Sequence, residues 1–368
     1  MNIFSDNRIV MTLDAGGTNF VFSALKGGKA VSKEIRYPSN AHDLDLCIRT
    51  LKKGFDELKD SIPGKALAIS FAFPGPADYP GGIIGDLNNL PAFRGGVPLG
   101  PILEDYFRMP VFINNDGDLY AYGEALGGIL PEINHKLEEN GSQKRYHNLV
   151  GLTLGTGFGA GLVRNNELFI GDNSTAAEVW LFSNRYHTKA NAEDVVSIRA
   201  VQRHYREISG LSRAEELSPK DIYEIATGRR EGNREAALEA YRRTGRSLGD
   251  TLANLMTFID GIVVIGGGIT GASELYMPSV MEELLSHFEP SDGGQLPRLV
   301  QRIFNLDDEA GSKDFYRDFS KELVIPGTER TISYDPVPRL AVATSRIGAS
   351  KAISLGAYAF ALSAMINQ

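Results

Sequence analysis

Asp14, Gly16, Gly17 and Thr18 lie within five residues of one another, in the turn between the apolar runs Ile9 to Leu13 and Phe20 to Leu25. That set of residue types can hold a phosphate. Paired glycines let backbone N–H groups approach an oxyanion, the threonine adds a hydroxyl donor, and Asp14 can reach an accompanying Mg²⁺ directly or through water. The same pattern also suits an ordinary hairpin in which Gly-Gly only relieves turn strain.

Two further glycine turns follow runs of the same kind. Leu149 to Leu154 leads into Gly155-Thr156-Gly157 and a second apolar run, and Gly261 to Ile265 leads into Gly266-Gly267-Gly268. A flat ligand such as an adenosine can lie against bare backbone at the third turn. Between the first two, Val111-Phe112-Ile113 ends in Asn114-Asn115-Asp116 ahead of a helix-compatible stretch. Amides and a carboxylate at the carboxyl end of a strand are placed where open α/β sheets bind ligands, and Asp116 is a candidate general base. Asn115 or Asp116 also reads as a helix N-cap, a role compatible with chemistry. The chain holds no GxxxxGK[ST], and no GxGxxG is read between the strand and the helix of a βαβ unit, so a P-loop or Rossmann site is not expected.

In this order, Asp14-x-Gly16-Gly17-Thr18, Asn115-Asp116, Gly155-Thr156-Gly157-x-Gly159 and Ile265 to Gly268 span most of the chain and resemble the ROK family of sugar kinases and sugar-sensing repressors. Phe73-Pro74-Gly75-Pro76 and Asn89-Leu90-Pro91 resemble the family's segments near the sugar. The resemblance implies an α/β, two-domain actin-like (ribonuclease H-like) fold and phosphorylation of a hexose by ATP with Mg²⁺. Glucose to glucose 6-phosphate is the default reaction. N-acetylmannosamine, N-acetylglucosamine or fructose is the alternative acceptor, and a non-catalytic sensor is the alternative class.

The resemblance implies residue roles too. Asp116 would take the hydroxyl proton and Asp14 would help hold Mg²⁺. Gly16, Gly17, Thr18, Gly155, Thr156 and Gly157 would donate to the phosphates, and Gly267 and Gly268 would border the adenosine. Asn89, Asn115, Asp116, Glu178 and Glu193 would contact sugar hydroxyls, since amides and carboxylates suit vicinal diols.

One departure stands out. Where the family has Glu-x-Gly-His and then a cysteine-rich zinc knuckle, this chain has Glu178-Val179-Trp180-Leu181 and a shortened loop with His187. Structural zinc takes four Cys or His ligands, and the only cysteine is Cys47, so no zinc site is expected. Trp180 is expected either to stack on the sugar or to fill the vacated space.

Composition sets the frame. A chain of 368 residues exceeds the roughly 250–300 at which one core tends to divide, so two domains are expected. They are read as 1–118 with the terminal helix 350–368, and 119–349 with insertions near 131–148 and 286–335. A single cysteine, no apolar segment after a basic start and no membrane-length apolar run lead to the expectation of a cytoplasmic protein. The net charge of −8, and only 13 residues before Asp14, leave no expectation of nucleic-acid binding. By resemblance, a homodimer is expected.

Leu44 to Leu58 carries Leu44, Cys47, Ile48, Leu51, Phe55 and Leu58 at helical spacing, and Ala66 to Phe73 reads as a buried strand. Ser218-Pro219-Lys220-Asp221 reads as a helix start, Arg234 to Ile259 as a long helix, and Gly348 to Met365 as an Ala-rich helix. The polar stretch 131–148 is read as surface loop.

Overall fold

The computed structural model describes residues 2–16, 18–87, 90, 92–212 and 217–366. Two compact units emerge, the first made of Met1–Pro131, Gly161–Ala177 and Arg346–Gln368, the second of Glu132–Ala160 and Glu178–Ser345. No helix among the described residues is long and apolar enough to cross a membrane.

The chain opens with strands β1 (Ile9–Ala15), β2 (Asn19–Lys26), β3 (Lys29–Ala30) and β4 (Ile35–Pro38), then helix α1 (Leu44–Ser61) and β5 (Ala66–Ala72). A short hairpin, β6 (Ala77–Asp78) and β7 (Ile83–Ile84), precedes α2 (Leu99–Phe107), β8 (Val111–Asn114) and α3 (Asp116–Gly127). Helix α4 (Ile129–Glu139) leads to β9 (Leu149–Leu154), β10 (Phe158–Arg164) and β11 (Glu167–Phe169). Next come the hairpin β12 (Ser183–Asn184) and β13 (His187–Asn191) and the helices α5 (Ala192–Val196), α6 (Ile198–Ser209), α7 (Pro219–Ala226) and α8 (Arg234–Ile259). The last part holds β14 (Ile262–Gly266), α9 (Ser273–Leu284), β15 (His287–Phe288), β16 (Leu296–Pro297) and β17 (Arg302–Asn305). It closes with α10 (Glu309–Tyr316), β18 (Lys321–Val324), β19 (Thr331–Tyr334), β20 (Arg339–Thr344) and α11 (Ala349–Ala364).

In the first unit the strand order is β3-β2-β1-β5-β8, with β1, β5 and β8 parallel. Leu13 pairs with Phe71 and Ala72 pairs with Asn114, so Asp14, which still pairs with Val21 of β2, and Phe73 and Asn115 lie together at one edge, the carboxyl ends of the parallel strands. That edge is where parallel sheets present ligand-binding groups. Helix α1 is capped by Asp43, whose carboxylate accepts the Leu46 N–H at 2.9 Å, and it buries Cys47, Leu51, Phe55 and Leu58 against the sheet. Removing such apolar stripes from water is the main favourable term.

Helices α3 and α11 cross with their backbones almost touching. A Cβ on Gly123 would fall 1.8 Å from the Ala352 carbonyl oxygen, and one on Gly356 would fall 1.9 Å from that of Leu119. Only glycine permits this approach, and it fixes the helix whose first residue is Asp116.

In the second unit β9, β14, β20 and β17 lie side by side and parallel. The Ser218 capping box is formed with Asp221, and Pro219 opens α7. Two expectations change. The stretch 131–148 is not all loop, because α4 buries Ile129, Leu130, Ile133 and Leu137 at three- and four-residue spacing beneath its charged face. The insertion read at 286–335 also contributes to the sheet: β17 pairs in parallel with β20, and the hairpins β15–β16 and β18–β19 lie on either side of it in the chain.

Candidate active site

Within the first unit, Asp14 is exposed near the end of β1, followed by exposed Gly16 and Thr18. The Thr18 carbonyl accepts the Ser39 N–H at 2.9 Å, which holds the turn against the end of β4. Gly17 and Asn89, both expected at the site, lie outside the described residues.

Asn115 is the N-cap of α3, its Oδ1 accepting the Gly117 N–H at 2.8 Å. Asp116 Oδ1 shares the same donor at 2.9 Å. Asn115 Nδ2 donates to Tyr79 Oη at 3.4 Å, and the Tyr79 hydroxyl donates to the Phe73 carbonyl at 2.9 Å. Helix α3, which carries the candidate base, is thereby tied to the start of the Pro74-Gly75-Pro76 loop. Capping and candidate chemistry sit on adjacent residues, as the sequence allowed.

Water reaches the Asp116 side chain, yet the density of protein around it costs the carboxylate hydration. That desolvation is the main cause raising its pKa above the ordinary aspartate value. The Gly117 N–H opposes the rise, and the negative charge of Asp14 adds to it. Two neighbouring carboxylates in unlike surroundings are suited to different tasks, one to binding a cation and one to accepting a proton. Among the described residues Asp14 has no ion-pair partner, so its charge remains available for a cation.

Under the first glycine turn lies a recess of about 350 Å³, bordered by Gly16, Cys47, Pro74, Gly75, Pro76 and Asp86. Burial pushes the Cys47 thiol up to about 11, so it is a neutral wall group and not a nucleophile.

Within the second unit, Gly155, Thr156 and Gly157 join β9 to β10, with the Gly155 N–H donating to the Gly157 carbonyl at 3.0 Å. The Gly155 carbonyl accepts the Ile198 N–H at 3.0 Å, which seats the start of α6 on the turn. Glu193 Oε2 accepts the Phe158 N–H at 3.0 Å, and Oε1 accepts from Arg199 at 2.7 Å. Glu193 therefore supports the second glycine turn as well as being a candidate sugar contact. Sequence reading missed that support role, since 35 residues separate donor and acceptor.

Gly267 adopts φ +90°, and a Cβ there would fall 2.3 Å from the Leu154 carbonyl oxygen. The third turn thus packs directly on the end of β9. Beside it, a pocket of about 200 Å³ is bordered by Gly268, Ile198, Val201, Lys220, Tyr223 and Tyr241. Its apolar and aromatic walls suit a planar base, and Tyr223 is held by donating to Glu274 at 2.7 Å. Only Gly268 of these lining residues was expected, because the others come from three helices scattered along the chain. Glu178 precedes a short 3₁₀ turn, Val179–Leu181, and accepts the Trp180 indole N–H. Trp180 is half-buried and held by Glu178.

The model of the ROK family matches residues 10–300. This chain belongs to the ROK family. It has the family's actin-like, ribonuclease H-like fold, here built as two α/β units. This ROK chain is similar to a glucokinase from Parabacteroides distasonis of known structure, at 51% identity and a TM-score of 0.90 across 99% of both chains. It is 27% identical over 299 residues to the glucokinase of Thermotoga maritima, covering 76% of this chain and 88% of that one. It is 28% identical over 294 residues to the N-acetyl-D-glucosamine kinase of Vibrio cholerae, covering 74% and 89% respectively.

Proposed function

We propose that this ROK sugar kinase transfers the γ-phosphoryl group of ATP to glucose, giving glucose 6-phosphate. The observation that carries the reading is Asp116: a desolvated carboxylate of raised basicity, at the first position of α3 and within electrostatic reach of Asp14. A sugar hydroxyl is a weak nucleophile near neutral pH, and phosphoryl transfer depends on alignment and charge neutralisation. Asp116 accepts the hydroxyl proton as the oxygen attacks phosphorus, a contribution typically worth ~10²–10⁴-fold.

Thr18, Gly16, Gly155, Thr156 and Gly157 supply backbone and hydroxyl donors to the phosphates. The pocket at Gly268 takes the adenine, and Gly267 borders it. ATP enters as its Mg²⁺ complex, the ion neutralising phosphate charge, and the exposed carboxylate of Asp14 suits a hard cation. Asn115, Asp116, Glu178 and Glu193 are assigned to the sugar hydroxyls.

Glucose as acceptor is supported by the 51% identity to a protein named glucokinase. An N-acetylhexosamine is the second reading, favoured by the relatives named N-acetyl-D-glucosamine kinase and by Trp180 standing against Glu178. Coupled ADP release across a panel of hexoses and N-acetylhexosamines separates them. Turnover highest on glucose supports the first reading; turnover confined to an N-acetylhexosamine replaces it with the second.

A further inference from the structure

The tip of the β12–β13 hairpin is held by a cluster of charges from three other parts of the second unit. Asn184 pairs with His187, leaving Arg185 and Tyr186 as the tip residues. The Arg185 N–H donates to Asp250 on α8 at 3.1 Å, and its guanidinium donates to Glu283 on α9 at 2.5 Å. The Tyr186 hydroxyl donates to the same Glu283 oxygen. Arg298, just beyond β16, donates to Asp250 at 2.8 Å and lies 3.8 Å from Glu283. The side chains of Asp250 and Glu283 are only 4% and 3% exposed.

Two arginines balance two carboxylates, so each charge is compensated. Buried ion pairs are weak contributors to net stability compared with apolar residues of similar volume. Geometry is the better explanation of the cluster, and the position of the hairpin gives that geometry a use. Glu178 lies just before β12, in a segment closed at its base by the Ala192 N–H donating to the Phe182 carbonyl at 2.9 Å. Glu193, just after β13, is independently held by Phe158 and Arg199. Glu178 has as its hydrogen-bond partner Trp180, two residues away in the 3₁₀ turn that leads into the hairpin.

We propose that Arg185 and Arg298, acting through Glu283 and Asp250, are positioning residues that set Glu178 for the sugar, and that the segment around β15 and β16 serves the site through Arg298. The inference rests on the sugar-kinase reading and on Glu178 as a sugar contact.

The test compares the parent with Arg185→Met/Glu283→Met, which removes one pair without leaving a lone buried charge, and with Arg185→Lys, which keeps the cation. Glucose binding by calorimetry is measured beside turnover. The expected result for the double variant is a sugar Kd and KM raised at least tenfold, with KM for ATP changed by less than threefold. Arg185→Lys is expected to stay within about threefold of the parent. Tyr186→Phe, which deletes one donor and is the fallback if the double variant does not fold, is expected to weaken sugar binding about threefold.

An unchanged sugar affinity in a folded variant overturns the proposal, as does an equal rise in both KM values. A parent that binds glucose without transferring phosphate refutes the kinase reading while the Kd comparison still decides the positioning role. A parent that neither binds nor phosphorylates any sugar overturns both.

Discussion

Glu193 accepts the Phe158 N–H at 3.0 Å, so a residue from α5 fixes the exit of the second glycine turn. A hydrogen bond to a charged acceptor contributes about 1.5–3 kcal/mol, and its loss frees the turn proposed to donate to the phosphates. Glu193→Ala is expected to raise KM for ATP by about tenfold, equivalent to ~1.4 kcal/mol. Glu193→Gln, which keeps an acceptor, should lose less. Steady-state kinetics with varied ATP at saturating sugar checks both, and an unchanged KM for ATP in Glu193→Ala contradicts the support role.

Asp116 is expected to link activity to stability with opposite signs. Its folded pKa is raised above the ordinary 3.8, chiefly by desolvation. Between 3.8 and that higher value the folded state binds more protons than the unfolded state, so this group's contribution makes stability fall as pH rises through the window. Above the window the penalty is complete. Asp116→Asn keeps an acceptor for the Gly117 N–H but removes the charge. Its Tm at pH 7 should therefore exceed the parent's, with the two converging as pH falls toward 4. The parent's kcat/KM should decline on the acid side with an apparent pKa above the usual aspartate range. Thermal melts and a pH–rate profile test this, and a lower Tm for the variant at pH 7 contradicts it.

The contact between α3 and α11 tolerates no added atom. Gly123→Ala would place a methyl 1.8 Å from the Ala352 carbonyl oxygen. Overpacking a tight interior costs about 1–3 kcal/mol or more, and the displaced helix carries Asp116. Denaturant titration should show that loss, accompanied by reduced turnover. Gly95→Ala, at a glycine with open space around its Cβ position but φ +73°, should spare turnover.

The glycine turns, the Asn115-Asp116 pair and the long helices were legible because each is a local pattern of residue types. Helix α4 was hidden because the stretch read from 131 sets Glu132, His135, Lys136, Glu138 and Glu139 against only two of its buried apolar residues, Ile133 and Leu137. Strand β17 was hidden by its short length amid polar neighbours. The support of Phe158 by Glu193, the charge cluster around Glu283 and, beyond Gly268 itself, the walls of the pocket beside Gly268 were not legible. Each joins residues tens of positions apart, and only tertiary packing sets their distance.

The pocket beside Gly268 gives a separable prediction for the nucleotide. A Cβ on Gly268 would already lie 3.3 Å from Ile198 Cδ1, so the larger Gly268→Val narrows the space assigned to adenine. KM for ATP should rise by about tenfold or more, while KM for the sugar stays within twofold. A sugar KM that rises with it would mean the pocket is not specific to the nucleotide.

Coupled ADP release with glucose, ATP and Mg²⁺, run on the parent beside Asp116→Asn, tests the central claim most directly. Turnover on glucose that falls by ~10²–10⁴-fold in the variant, with the variant folded and still binding glucose, is the predicted result. Undiminished phosphorylation by Asp116→Asn, or no turnover by the parent on any sugar, would contradict the account.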